Sequence, residues 1–342
     1  LTLAYRQVMA AHKLVEDEQD GLLYISKECL SNGCAATADV SYPSMPMYLL
    51  YNPELVNGML RPILHYAKSA DWPFEFAPHD VGCYPQVNGQ VYCAQSDPSH
   101  QLQIVECGNM LVMAAAAVTA GAGTELFAEN RALFAQCADY LIAHGEDPAD
   151  QICTDDFFRH LAHNCNLGLK AIMGIASMAI LLTRTGDSEA AARYRDTART
   201  MARSWVSRAA KGDGSFRLAF DQPDTFSLKY NIVWDKLFGT GLFTEQELAD
   251  EFASYHQYTN RYGTPLDSRG STSKSDWQAW TGVLAKDSAE FEAFMTPVWR
   301  YFNEMESRVP MADWYSTKTA KYFYMMHRSV QGGLFIRLLA QE

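Results

Sequence analysis

The sequence predicts an all-α protein, an (α/α)6 toroid of six helical hairpins, and three observations predict it. Helical apolar spacing runs through the chain, leaving strands only short pieces of loop. Short and long connections alternate. Helices that follow a long connection are apolar nearly all round, whereas those that follow a short turn keep a charged face.

In chain order, spacing and breakers place helices at about 1–15, 44–51, 53–67, 106–121, 126–144, 160–183, 187–210, 226–240, 244–259, 275–286, 288–306 and 321–341. "YNP", "GAGTE", "RTGD", "GTGLFT" and "AKDS" are the short breaks. The long connections occupy 16–43, 68–105, 145–159, 211–225, 260–274 and 307–320. "CGNMLVMAAAAVTAG" and "NLGLKAIMGIASMAILL" have almost no polar face and must be buried on most sides. "SEAAARYRDTARTMARSWVSRAAK" carries its charges on one side and reads as an outer helix. The first helix, outer, and the last, inner, are expected to meet and close the ring. One ring accounts for all 342 residues, against a length prior of about two domains. An open helical array is the alternative, and it would not bring the termini together. The opening "LTLAYRQVMAAHKLV" starts inside a helical pattern without a cap, so the chain reads as part of something longer.

A net charge of −12 without a basic cluster excludes nucleic-acid backbones and anionic membranes as expected partners. No uninterrupted apolar run of the roughly 18–20 residues that span a membrane stands out. A small-molecule substrate is the default. The eight cysteines are scattered without CxxC or zinc spacing. Cys83 and Cys93 flank "YPQVNGQVY", whose Asn-Gly suggests a hairpin turn, so these two could be bridged.

All the long loops lead into N-termini of inner helices, so their polar residues are expected at one mouth of the ring, where unpaired N–H groups favour bound anions. Those loops bring Asp39 and Tyr42; Trp72, His79 and Asp80; and Glu106. They also bring Asp155, Asp156 and His163 from "CTDDFFRHLAHN", then Lys229, and finally Asp267, Arg269, Lys274, Asp276 and Trp277. Paired carboxylates with a few cations suit a hydrolase, one acid raised in pKa and one base. Asp156 is the expected cleft carboxylate, partnered by Asp80, Glu106 or Asp276. Each residue also has a structural reading. Asp155 can be a helix cap, and Ser275 with Gln278 fits a capping box. Asp267 and Arg269 can simply pair, and the tryptophans can be core. His160 and His163 share a helical face without a second ligand pair, so no metal or other cofactor is predicted. The converging acids would suit an oxygen-preferring divalent cation if one bound.

The motifs "DVSYPSMPMYLLYNPELV", "FAPHDVGCYP", "VECGNMLVM", "QICTDDFFRHLAHNCNLGLKAI", "KYNIVWDKLFGTGLF", "YGTPLDSRGSTSKSDWQAWT" and "DWYSTKTAKYFYMMHRSVQGG" together closely resemble the six-hairpin domain of the glutaminase A family, in a bacterial, Bacteroidetes-like form. The similarity runs in order from the first helix to the last. It implies a secreted or periplasmic protein with a β-rich region upstream, and hydrolysis of L-glutamine to L-glutamate and ammonia. Relatives often read "TDDFAGHLAHN", so Phe158 and Arg159 replace small residues at the mouth. In this reading Lys229, Arg269 or Lys274 holds the substrate carboxylate, and Asp39, Asp80 or Glu106 its ammonium. Asp156 or Asp276 activates water. A glycoside hydrolase using the same carboxylates is the second reading, with an open trough in place of a closed pocket, and a non-catalytic binder is the third.

Overall fold

The computed structural model describes residues 1–18, 21–92, 98–153, 160–306 and 308–340. Six hairpins follow one another, each an outer segment then an inner one. They are α1 (Thr2–Ala10) with α2 (Ala38–Tyr51), α3 (Glu54–Ala67) with α4 (Gln103–Thr119), and α5 (Glu125–Glu129) plus α6 (Arg131–His144) with α7 (Cys165–Arg184). Next come α8 (Ser188–Ala209) with α9 (Val233–Phe238), α10 (Glu245–Ser254) with α11 (Ser275–Thr281), and α12 (Ser288–Glu304) with a 3-10 turn Ser329–Phe335 that runs into α13 (Ile336–Leu339).

The inner segments touch in sequence: α2 on α4, α4 on α7, α7 on the turn before α9, that turn on α11, and α11 on the turn Ser329–Phe335. This last turn packs back on α1 and α2 and closes the (α/α)6 toroid. The seam is tight, because a Cβ on Gly332 would stand 2.2 Å from the carbonyl oxygen of Ser44.

The inner helices are apolar for the expected reason. Every residue of α7 from Cys165 to Ala179 is buried. This helix begins where the Asn164 side chain accepts from the N–H groups of Asn166 (2.8 Å) and Leu167 (3.3 Å), a side-chain cap. It corrects one expectation, since its 20 residues are long and apolar enough to cross a membrane, yet they lie inside the ring. Outer helices differ as charge patterning requires, and α8 buries Ala191, Ala198, Met201, Ala202 and Trp205 on one side only.

Several boundaries depart from the sequence reading, among them a start at Cys165 in place of 160 for α7 and at Tyr230 in place of 226 for the segment that runs into α9, and three tell most. The first helix ends at Ala10, and His12–Asp17 (β1) pairs antiparallel with Gly21–Ser26 (β2), His12 opposite Ser26. "HKLVED" carries no period-two apolar pattern and is exposed from Lys13 to Glu16, so the Asp20-Gly21 turn signal was the missed cue. Next, α2 starts at Ala38 with Pro43 and Pro46 inside it. Burial against α4 and the closing turn outweighs the roughly 3 kcal/mol or more that an interior proline costs. Finally, the last inner segment starts at Ser329 and is largely 3-10. A second short ladder, Thr272–Lys274 (β3) on Trp314–Ser316 (β4), leads directly into α11.

Candidate active site

The starts of the inner segments converge on a cavity of about 70 Å³ lined by Glu28, Asp39, His79, Tyr92, Lys274 and Arg328, among others. Asp39 stands in the first turn of α2, Lys274 immediately precedes α11, and Arg328 immediately precedes the 3-10 turn. Glu106, in the first turn of α4, is fully buried beside them. A larger hollow of about 500 Å³, bordered by Tyr140, His144, Asp147 and Arg208, lies at the ends of α6 and α8. None of the carboxylates discussed next faces it.

On one wall His79 organises the acids. Its Nδ1 meets Asp80 Oδ2 at 2.9 Å and its Nε2 faces Asp39 Oδ1 at 3.5 Å. The ring stacks on Tyr92, 4.4 Å between centroids. Burial works against a charge on the imidazole, but Asp39, the hydrogen bond donated to Asp80 and Glu106 outweigh it and push it up to about 10. Glu106 goes the other way. Burial, then the neighbouring Asp39, hold its carboxyl well above the usual range, which favours its protonated form. Its Oε2 accepts from Asn109 Nδ2 (2.9 Å), whose Oδ1 accepts from Lys170 Nζ (2.6 Å). The other oxygen of Glu106, Oε1, has no hydrogen-bond partner among the described residues, and nor has Asp39 Oδ1.

The opposite wall is a chain of alternating charge. Arg328 binds Asp313 through Nε (3.2 Å) and Nη2 (2.5 Å), and its Nη1 lies 3.8 Å from Glu28. Lys274 Nζ donates to Asp276 Oδ2 (2.9 Å) and lies 3.7 Å from Asp313. Burial raises Asp276 despite Lys274, and its Oδ1 is left without a partner among the described residues. The mouth therefore holds acids in different protonation environments with cations between them, which is what proton transfer to and from a substrate requires.

Several expected site residues go elsewhere. Asp155 and Asp156 lie outside the described residues, as does Cys93 with its suggested bridge to Cys83. Asp80 is committed: Oδ1 accepts from the N–H groups of Gly82 (2.9 Å) and Val91 (3.0 Å), and Oδ2 from Tyr92 N–H (3.2 Å) and His79. It shapes the loop and aims His79, and has no oxygen left for proton transfer. Lys229 is buried far from water with Nζ on Ser227 O (2.9 Å), Ser227 Oγ (3.0 Å) and Glu251 (3.4 Å), so it cannot clamp a substrate. Asp267 and Arg269 pair with each other, 2.6 Å at the shortest. Tyr42 is core, donating to Asn231 Oδ1 (3.0 Å) and accepting from Trp234 Nε1 (2.8 Å) beneath Lys170. Trp72 packs with Phe74 and Phe76 in an apolar hollow between α3 and α6. Trp277 is core as well, stacked 4.0 Å from Tyr230. His163 is exposed and bonds Asp147 at 2.8 Å. Nor do Ser275 and Gln278 form a capping box: Ser275 Oγ meets Gln331 and Gln278 Oε1 accepts from Thr264 N–H.

Glu28, Tyr92, Lys170 and Arg328 are the residues that sequence reasoning missed. Arg328 was missed because the last inner helix was expected from 321, which put this residue well inside it; the segment starts at Ser329 and leaves Arg328 at the mouth. Glu28 and Tyr92 sit in irregular loop, where no periodicity marks them. Glu28, Asp39 and His79 bring three donor atoms within 4.8 Å, as do Cys34, His79 and Asp80. A cation there would fall to Glu28 and Asp39, since an imidazole that keeps its proton offers no lone pair and Asp80 is fully engaged.

Comparison with known proteins places the fold. A family model described as the glutaminase A six helical-hairpin domain matches residues 1–338. Glutaminase A of Aspergillus oryzae is 30% identical over 345 residues, covering 99% of this chain and 49% of that protein. A protein of Arthroderma benhamiae named "Probable glutaminase" is 24% identical, covering 93% of this chain and 46% of its own length. The chain thus spans about half the length of these relatives. Among solved structures, a wild-type glycosidase superposes with a TM-score of 0.66 at 14% identity, covering 98% of this chain and 95% of the other. An uncharacterised conserved protein of Thermus thermophilus superposes at 0.60 and 9% identity, covering 100% and 99%. The structural likenesses carry the toroid alone, and the match over residues 1–338 settles the rest: the chain belongs to the glutaminase A six helical-hairpin domain family.

Proposed function

We propose that this chain is the catalytic six-hairpin part of a hydrolase that converts L-glutamine, or a close amide analogue, to L-glutamate and ammonia. One observation carries the reading: a compact cavity of about 70 Å³ in which carboxylates face cations, a fit for a small zwitterion. The substrate carboxylate lies toward Lys274 and Arg328, and its ammonium toward Glu28. Asp39 takes a proton from water as the water oxygen attacks the amide carbon, and the His79 imidazolium faces the oxygen that becomes negative. Neutral Glu106 then gives its proton to the amide nitrogen, the C–N bond breaks and ammonia leaves.

Glycoside hydrolysis is the second reading, favoured by the raised Glu106 beside the Asp39 carboxylate, an acid and base pair that also serves a glycosidic bond. The small cavity favours the amide. The bacterial origin, the secreted or periplasmic location and the β-rich upstream region implied by the motifs belong to the same proposal.

The test is ammonia release from L-glutamine by the full-length protein, with Glu106→Gln as control. Release that disappears in a folded Glu106→Gln variant supports the reading. No release from the wild type, together with hydrolysis of aryl glycosides, replaces it with the second one.

A further inference from the structure

Beside the cavity, the segment that follows Glu28 and the loop that follows His79 are joined by a short antiparallel bridge with a cysteine on each side, Cys34 opposite Cys83. The hydrogen bonds that make the bridge come from the flanking residues. Ala35 N–H donates to the Gly82 carbonyl (2.8 Å), and Tyr84 N–H to the Gly33 carbonyl (3.1 Å). Cys34 and Cys83 therefore occupy a non-hydrogen-bonded position, the narrow kind in which Cα atoms are about 4.5 Å apart and side chains are closest. That separation falls inside the roughly 4.4–6.8 Å that a disulfide spans.

Both cysteines follow a glycine with positive φ, 82° at Gly33 and 145° at Gly82. A Cβ on Gly82 would stand 2.3 Å from the Gln86 carbonyl oxygen, and one on Gly33 would lie 3.4 Å from Cys83 Sγ. The two Gly-Cys steps thus let the segments cross at this register. Cys83 is exposed and Cys34 is buried. The Cys34 sulfur also lies within 4.8 Å of a ring nitrogen of His79 and a carboxylate oxygen of Asp80.

We propose that Cys34 and Cys83 are a redox-active pair that forms a disulfide beside the cavity, by exchange with a low-molecular-weight disulfide such as oxidised glutathione. The exposed Cys83 thiolate attacks the small disulfide, forming a mixed disulfide and releasing one small thiol. Cys34 then loses its proton to solvent and attacks Cys83 Sγ, expelling the second small thiol. Two protein thiols are oxidised, one small disulfide is reduced to two thiols, and the same exchange runs backward in excess thiol. The bond ties the segment carrying Glu28, Ser31 and Asn32 to the loop carrying His79, Asp80 and Tyr92. The closed loop contains all of α2 and α3, so it also restricts the unfolded chain. This inference stands apart from the proposed reaction.

The experiment equilibrates the purified full-length protein with oxidised or reduced glutathione, blocks free thiols, and maps peptides by mass spectrometry beside melting curves. The expected result is a linked Cys34–Cys83 peptide in the oxidised sample only, with a melting temperature higher by roughly 3–8 °C. Cys83→Ala, at an exposed position, should fold and lose that difference. The proposal is overturned if both thiols are found blocked after oxidation, if Cys83 stops at the mixed disulfide, or if Cys83 is linked to Cys29 or Cys93 instead.

Discussion

Two lysine and carboxylate clusters are buried in this ring, and they differ in whether every polar atom is answered. Around Lys229 the circuit closes. Its ammonium meets Ser227 and Glu251, Glu251 accepts from Tyr255 OH (2.8 Å) and Phe216 N–H (2.7 Å), and Tyr255 OH accepts from Lys229 N–H (2.9 Å). At the mouth, Glu106, Asp39 and Asp276 each keep one oxygen without a hydrogen-bond partner among the described residues, Asp39 facing His79 only at ion-pair distance. A closed circuit holds backbone together, whereas an unanswered buried acid costs stability and persists where chemistry needs it. Buried charge alone does not mark a site; acid oxygens without a hydrogen-bond partner, gathered beside a cavity, distinguish this one.

Substituting Glu106→Gln gives the largest expected effect. Loss of a general acid should cut turnover by about 10³-fold, while the melting temperature holds or rises, because an acid that burial makes hard to ionise is replaced by a neutral isostere. Unchanged turnover would erase the distinction between the clusters. Lys229→Met should do the reverse, costing about 3–5 kcal/mol of stability by stranding Glu251 while turnover per folded molecule stays within roughly twofold. A thermal melt beside a rate measurement reads both.

Two buried histidines sharpen the comparison through pH. His79 rises from 6.5 to about 10, so its proton stabilises the fold fully below pH 6.5, and that contribution is lost as pH rises toward 10. The melting-temperature gap between wild type and His79→Gln should shrink over that window. A gap that stays constant would contradict the charged imidazole. His12, buried against Tyr24 and Tyr48, falls to about 4 through desolvation, against the pull of the Val8 carbonyl. Its contribution is present above pH 6.5 and is lost as pH falls toward 4, so His12→Gln should flatten the acid side of the melting profile. Smallest of all, His163→Ala should change stability by under about 0.5 kcal/mol and leave turnover alone, since its partner Asp147 is exposed.

The architecture was legible because one pattern repeats: apolar all-round helices after long loops can be satisfied only inside a ring. The same logic put the mouth at the starts of the inner segments, and Asp39, His79 and Lys274 line one cavity there, with Glu106 and Asp276 buried behind them. Side-chain roles were less legible, because residue type says nothing about partners. Asp80 and Glu106 look equivalent in sequence, yet four donors occupy one while the other keeps an open oxygen. Trp72 and Trp277 lie in or beside mouth loops but turn into apolar packing, where burying a large ring gains most. The proline-bearing start of α2 was obscured because tertiary packing overrode local propensity, and the strand after Ala10 because its exposed residues carry no alternation.

Gln7 has a part in ring closure that bears on when the site can exist. Its side-chain amide donates to the carbonyls of Met311 and Arg328, each at 3.1 Å, and its Oε1 accepts from Met311 N–H at 2.7 Å. The clasp joins positions 304 and 321 residues apart and holds the backbone of a cavity-lining arginine. During synthesis the earlier hairpins can stack as they emerge, but the cavity stays open on one side until Arg328 has left the ribosome and returned to α1. Contacts of such sequence separation form late and slowly. Activity should therefore appear as the final event of folding, and a chain stalled before that return should be well helical yet inert.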